Sequence, residues 1–218
     1  MKIDKKLLIL TSASILVPML IGCFFWQQLP QTVATHFDFS NQVNGFSSRG
    51  FTVFGIPSFL LLLHWFCLFV TSKDPKSKNI SLKMWHLVYW IIPLTSCLVM
   101  TAIYAQALGY AVNHALMNGM FLGVLFIAIG NYMPKTRRNY TVGIRLPWTL
   151  DNDDNWIKTH RLAGKIWVIG GIIIFFNSFV QIAVTFVLVF TLIIMIVVPM
   201  IYSYWLSKRI ALKIAKEY

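Results

Sequence analysis

Four long stretches of the chain carry no Asp, Glu, Lys or Arg, at residues 7–37, 51–72, 84–134 and 166–207. A helix needs about 20 apolar residues to cross the hydrocarbon of a bilayer. The first two stretches have room for one crossing each and the last two for two. The pattern therefore predicts six spans, near residues 7–26, 51–71, 84–104, 115–133, 166–183 and 185–206. Inside the last stretch the only turn cues are Asn177, Ser178 and Gln181. A single tilted helix cannot use 42 residues in one crossing, so a pair is expected there.

Composition agrees. The chain has 218 residues, of which 57% are hydrophobic and 12% charged, where a soluble domain carries about 25% charged residues. A chain this short cannot enclose that much apolar surface in water. A soluble enzyme, a disordered regulator and a secreted disulfide scaffold are all excluded. Cys23, Cys67 and Cys97 are an odd number, lie in apolar runs and fit no zinc spacing, so they read as small buried hydrophobes.

Charge sets the expected orientation. Lys and Arg accumulate in cytoplasmic loops. With the N-terminus inside, 18 of the 19 basic residues, from Lys2 to Lys216, fall on the cytoplasmic side and only Arg49 falls outside. The expected fold class is thus an all-α integral membrane protein, a bundle of about six transmembrane helices with both termini cytoplasmic. The excess of positive charge then belongs to the membrane surface, with no direct nucleic-acid binding.

The spans offer little chemistry. None holds an Asp, Glu, Lys or Arg well inside it, so the coupling group of an ion-driven transporter is missing. No His-Glu-x-x-His or Gly-x-Ser-x-Gly motif occurs. His64 reads as a hydrogen bond to a neighbouring helix, and the Gly119/Gly123 pair as close helix packing within the bundle. The chain is expected to be no enzyme and to use no cofactor or metal.

Two hydrophilic segments look specific. The loop at 27–50 is expected outside. It has a Pro30 corner, a turn signal at Asn44-Gly45, an imperfect alternation over 33–39 and the aromatic residues Phe37, Phe39, Phe46 and Phe51. His36 and Asp38 at i, i+2 with no third ligand make a poor metal pair. An ordered, hydrogen-bonded cap is the better reading. The loop at 130–165 is expected inside. It is rich in Tyr and Trp, with Pro134 and Pro147 as stiff corners. Asp151, Asp153 and Asp154 precede a helical stretch, where negative charge suits the N-terminus. Trp156 and His160 share one helix face by i, i+4 spacing.

Both segments resemble a known family. The stretch Gly130-Asn131-Tyr132-Met133-Pro134-Lys135, with Arg138-Asn139, Gly143-Ile144-Arg145, Pro147-Trp148-Thr149-Leu150, Trp156, Thr159-His160 and Gly164, resembles the main motif of the SdpI family. These are membrane immunity proteins for a sporulation-delaying peptide toxin of Gram-positive bacteria. The Leu29-Pro30, His36-Phe37 and Gly45 loop resembles the uncharacterised domain that often precedes the SdpI region. The resemblance implies a two-span region at 1–72 followed by a four-span SdpI-like region at 73–218, in the bacterial cytoplasmic membrane. It implies resistance to a peptide toxin or bacteriocin, and a receptor role that recruits a cytoplasmic transcriptional repressor. The competing reading is a small transporter that exports a toxic peptide or small molecule. The residues expected to carry function are Asn131, Pro134, Arg138, Asn139, Gly143, Arg145, Pro147, Trp148, Thr149, Trp156, His160 and Gly164 in the inner loop. For toxin contact on the outer face they are Pro30, His36, Phe37, Asp38 and Gly45.

Overall fold

The computed structural model describes residues 3–38 and 41–217. Lys2 and Phe39, used in the sequence reading, lie outside the described residues. The elements are α1 (Lys5–Phe24), β1 (Thr32–Phe37), β2 (Val43–Ser48), α2 (Ile56–Lys73), α3 (Leu82–Ala107), α4 (His114–Tyr132), α5 (Pro147–Asp151), α6 (Asp153–Val180) and α7 (Val184–Glu217). A π-helical turn, Phe51–Gly55, leads into α2. Among the described residues six helices are long and apolar enough to cross a membrane, as the pattern predicted. The break in the last apolar stretch falls at residues 181–183, where Gln181 (φ 53°) and Ala183 (φ 44°) are both left-handed. The Gln181 N–H donates to Asn177 O at 2.8 Å and ends α6.

The chain forms two compact units. One comprises residues 1–72 and 86–115, the other 73–85 and 116–218. In the first, Leu29, Val33, Val53, Met100, Ile103 and Tyr104 form a buried apolar core. Val33 carries the β1–β2 hairpin into that core. Gly22 lets α1 come close to Tyr104 and Val53; a Cβ there would meet the Tyr104 hydroxyl at 2.5 Å. Buried polar groups link the helices, as they must where no water reaches them. Thr11 Oγ1 donates to Leu7 O, so its oxygen accepts the His64 Nε2–H at 2.9 Å. Ser96 Oγ donates to Ile15 O. His64 thus makes the expected bond to a neighbouring helix.

In the second unit α4 and α6 meet along small residues. A Cβ on Gly123 would lie 2.8 Å from Gly171 O, and one on Gly130 would lie 2.8 Å from Gly164 O. Gly119 faces Ser178 in the same way. The Gly119/Gly123 pair therefore serves helix packing within the chain. One expectation fails: Cys23 is exposed, and Cys67 and Cys97 are only half-buried. Small apolar side chains on a lipid-facing helix gain nothing by turning inward, since lipid is as apolar as the core.

Candidate functional site: the motif platform and the hairpin

The 130–165 segment folds in the second unit as a platform held by side-chain bonds to backbone. Pro134 cannot continue α4, and a short 3-10 turn over Met133–Lys135 follows. Asn139, fully buried, then builds the loop. Its Oδ1 accepts from Thr141 N at 3.0 Å and Val142 N at 2.7 Å, while its Nδ2 donates to Arg137 O at 2.9 Å. Short Asn side chains hold such turns because they reach the backbone two or three residues on. Gly143 follows at φ +119°, a conformation open to Gly and costly for other residues. It sits directly on the His160 ring, where a Cβ would lie 2.4 Å from Nε2. Pro147 opens α5 and Asn152 caps α6, its Oδ1 accepting from Asn155 N.

Trp156 and His160 form the centre of the platform. Both are buried, and their rings stack with centroids 3.9 Å apart. Trp156 Nε1 donates to Thr136 O at 2.9 Å. His160 Nε2 accepts the Ile144 N–H at 3.0 Å, and Nδ1 lies 2.8 Å from Trp156 O. A backbone N–H can only donate and a carbonyl can only accept, so the ring is the neutral Nδ1–H tautomer. Both ring nitrogens are thus engaged by backbone groups of the platform. Thr149 Oγ1 accepts from Leu146 N and lies 2.8 Å from Ile144 O, closing the turn before α5. Gly164 packs on Gly130 O and the Pro134 ring.

The arginines differ in role. Arg138 makes a two-pronged contact, Nη1 donating to Leu150 O at 2.7 Å and Nε lying 2.8 Å from Asp153 Oδ1. Arg145 is exposed and donates from Nη1 to Tyr140 O at 2.7 Å. Asn131 is exposed at the end of α4. Two bonds tie the platform to α7. Trp148 Nε1 donates to Ser203 Oγ, and Asn155 Nδ2 donates to Ser203 O, both at 2.9 Å. Thr159 Oγ1 donates in turn to Asn155 Oδ1.

A second strap comes from residues 74–81. Asp74 is buried and accepts from Lys76 N, Tyr140 N and the Thr141 hydroxyl at 2.7–2.9 Å. Asn79 Nδ2 donates to Arg138 O, and Arg137 N returns a bond to Asn79 O. Asp74, Asn79, Asn155 and Ser203 were missed by the sequence reading. Asp74 alone left a signal: it is the single acidic residue between Asp38 and Asp151, set among Lys73, Lys76 and Lys78.

In the first unit, the described residues of the 27–50 segment hold the β1–β2 antiparallel pair, the hydrogen-bonded arrangement expected there. The turn is not at Asn44-Gly45. Both residues lie within β2, and Gly45 pairs with His36 at an irregular point of the register. A Cβ on Gly45 would meet the His36 Cβ at 2.8 Å, so Gly is needed there for cross-strand approach. The chain reverses instead between Asp38 and Gln42. Asp38 N donates to Gln42 O, and Gln42 N donates to Asp38 Oδ1. His36 and Asp38 are each used locally, His36 Nδ1 pairing with Asn44 Oδ1. Among the described residues no group of three or more His, Cys, Asp or Glu gathers to hold a metal ion. Phe37 stacks on His114, and Pro30 is exposed. Arg49 donates from Nη1 to Trp26 O and Leu29 O, closing the end of α1.

Known proteins align with both segments. The SdpI/YfhL protein family model matches residues 135–203, and a domain of unknown function, DUF1648, matches residues 13–61. The chain is 30% identical to "Immunity protein SdpI" of Bacillus subtilis (strain 168) over 165 residues, which is 73% of this chain and 75% of that protein. No solved structure matches. The family match begins in the platform and runs through α6 to Ser203, the residue that holds Trp148 and Asn155, and the relative extends the likeness over most of the chain. With six helices among the described residues able to cross a membrane, the chain therefore belongs to the SdpI/YfhL family, as a multi-pass immunity protein of the bacterial cell membrane.

Proposed function

We propose that this protein protects its cell from a membrane-active peptide toxin without catalysing any reaction. The toxin meets the exposed face of the hairpin, and the 130–165 platform, a cytoplasmic segment by the charge pattern, reads out the event. The observation that carries this reading is how the platform uses its polar side chains. His160, Asn139, Thr149, Asn155 and Asp74 are turned inward and bonded to the platform's own backbone or to α7. Side chains used in this way fix the shape of a surface, which suits binding or transmission. Exposed guanidiniums at Arg137, Arg145 and Arg161 surround it and suit the acidic surface of a docking repressor.

The test is survival under toxin challenge at matched expression, with repressor recruitment to the membrane as a second readout. Arg138→Lys and His160→Ala are each expected to lower survival. Wild-type protection by the combined Arg138→Lys, Arg145→Lys and His160→Ala variant would move the function to the hairpin face. Flux of labelled peptide in proteoliposomes would replace the reading with export.

A further inference from the structure

We propose that a cavity inside the 130–165 platform is a binding site for a small neutral aromatic molecule of phenol size that bears one hydroxyl. The cavity has a volume of about 160 Å³ and lies wholly within the second unit. The 142–144 turn and His160 contribute to its wall, together with Thr136. Met84 at the start of α3, Ile129 near the end of α4, Met133 just beyond it and Trp167 on α6 complete it. Met84, Met133, Thr136 and His160 are each at most 4% exposed, whereas Gly143 is exposed and Val142 and Ile144 are half-buried. Access is therefore by way of the turn.

One polar side chain in this wall is unspent. The Thr136 hydroxyl is buried and finds no hydrogen-bond partner among the described residues. Such a group is costly to bury unless something pairs with it. The other polar side chains of the wall are engaged. The His160 nitrogens meet Ile144 N and Trp156 O, and Trp167 Nε1 donates to Met195 O at 3.0 Å. The described lining residues include no Asp, Glu, Lys or Arg, so a neutral ligand fits and an ion does not.

Size and surface narrow the class further. An apolar cavity of about 150 Å³ holds benzene. The thioether side chains of Met84 and Met133 and the rings of His160 and Trp167 favour an aromatic partner over an alkyl chain. A water needs about two to four polar partners, and the side chains of the wall supply one. A lipid acyl chain would fill the space and leave the Thr136 hydroxyl unpaired. An aromatic ring with a hydroxyl satisfies both demands. Its binding would also bear on the platform. Thr136 O accepts from Trp156 Nε1, and Ile144 N donates to His160. A ligand against these residues braces the contacts that hold the motif together, and it stabilises the state in which they are formed.

The experiment titrates purified full-length protein in detergent micelles with para-fluorophenol or fluorobenzene, read by fluorine NMR against empty micelles. It uses no toxin, so its failure leaves the functional reading standing. Saturable binding of para-fluorophenol, one molecule per chain, is expected. Thr136→Val keeps the shape of the side chain and removes its hydroxyl. It is expected to lower the ratio of para-fluorophenol to fluorobenzene affinity about fivefold, which is one hydrogen bond of about 1 kcal/mol. The same change at Thr191 on α7, outside the cavity wall, is expected to leave that ratio within about twofold. Val142→Phe fills the cavity from its half-buried rim and is expected to abolish saturable binding of both probes. If that variant does not stay monodisperse, the ratio in Thr136→Val decides. No saturable binding above empty micelles, or undiminished binding in folded Val142→Phe, would overturn the site. An unchanged ratio in Thr136→Val, or an equal fall in Thr191→Val, would overturn the assignment of a hydroxyl-bearing ligand to Thr136.

Discussion

Gly143→Ala isolates the contact on which the platform turns, and Gly109→Ala is its built-in control. Both glycines have positive φ, +119° at Gly143 and +91° at Gly109. An alanine at either position bears backbone strain of about 1–3 kcal/mol, offset by roughly 0.4–1 kcal/mol from a less flexible unfolded chain. The surroundings differ. A Cβ at Gly109 would meet nothing within 4 Å. A Cβ at Gly143 would lie 2.4 Å from His160 Nε2 and 3.1 Å from Trp156 Cη2. His160 cannot give way freely, because Nδ1 is held at Trp156 O and its ring is stacked on Trp156. Moving it breaks the Ile144 N–H bond, worth about 1 kcal/mol, and leaves a donor short of water at a further 1–3 kcal/mol. Gly109→Ala should thus cost about 1–2 kcal/mol and Gly143→Ala about 3–5 kcal/mol. The assay is reversible unfolding in mixed micelles with a denaturing detergent, paired with survival under toxin. Gly109→Ala should keep protection and Gly143→Ala should lose it. Combining Gly143→Ala with His160→Ala should cost less than the sum of the two, since they share one contact. Equal destabilisation by the two glycine variants, or strict additivity in the double variant, would refute the argument.

The other predictions are briefer. Asp74→Asn replaces one acceptor oxygen with an amide that opposes a backbone N–H, of Lys76 or of Tyr140 according to its orientation, so the platform should lose about 2–3 kcal/mol and exchange that amide faster in hydrogen-exchange mass spectrometry. In a cysteine-free background, single cysteines at positions 79, 139 and 213 should resist impermeant labels added to intact cells, while one at position 42 should react; strong outside labelling at 79, 139 or 213 would reverse the orientation. A flexible Gly/Ser insert at Gln42 breaks its paired bonds to Asp38 and should reduce protection with membrane insertion intact; full protection would argue against toxin contact by the hairpin. Gly123→Leu should separate α4 from α6 at Gly171 O and cost more than 2 kcal/mol, read as loss of detergent resistance.

The six spans were legible because crossing a bilayer is a one-dimensional demand: about 20 residues without charge, repeated, with breaks where polar residues return. The i, i+4 pairing of Trp156 and His160 was legible for the same reason, since helical spacing alone brings them to one face. The Gly119/Gly123 pair was legible as a packing seam. Only the folded chain shows what it packs against, because Ser178 and Gly171 lie about 60 and about 50 residues away. The motif named residues without roles. Arg145 and Arg138 look alike in sequence, yet only Arg138 finds both a carbonyl and a carboxylate within reach. Asn44-Gly45 is a strong local turn signal that tertiary structure overrode. The Gly is needed where His36 crosses, and the reversal moved to Asp38–Gln42, whose side chain and backbone close it. Ser203 left no signal in the sequence, and Asp74 stood out by its lone negative charge without naming its partners. Each ties the platform through partners roughly 50 or more residues away, Tyr140 and Thr141 for Asp74 and Trp148 and Asn155 for Ser203, and a hydrogen bond between distant groups leaves no periodicity along the chain. What local spacing requires can be read from sequence; which distant backbone group satisfies a buried polar side chain is decided only when the chain has packed.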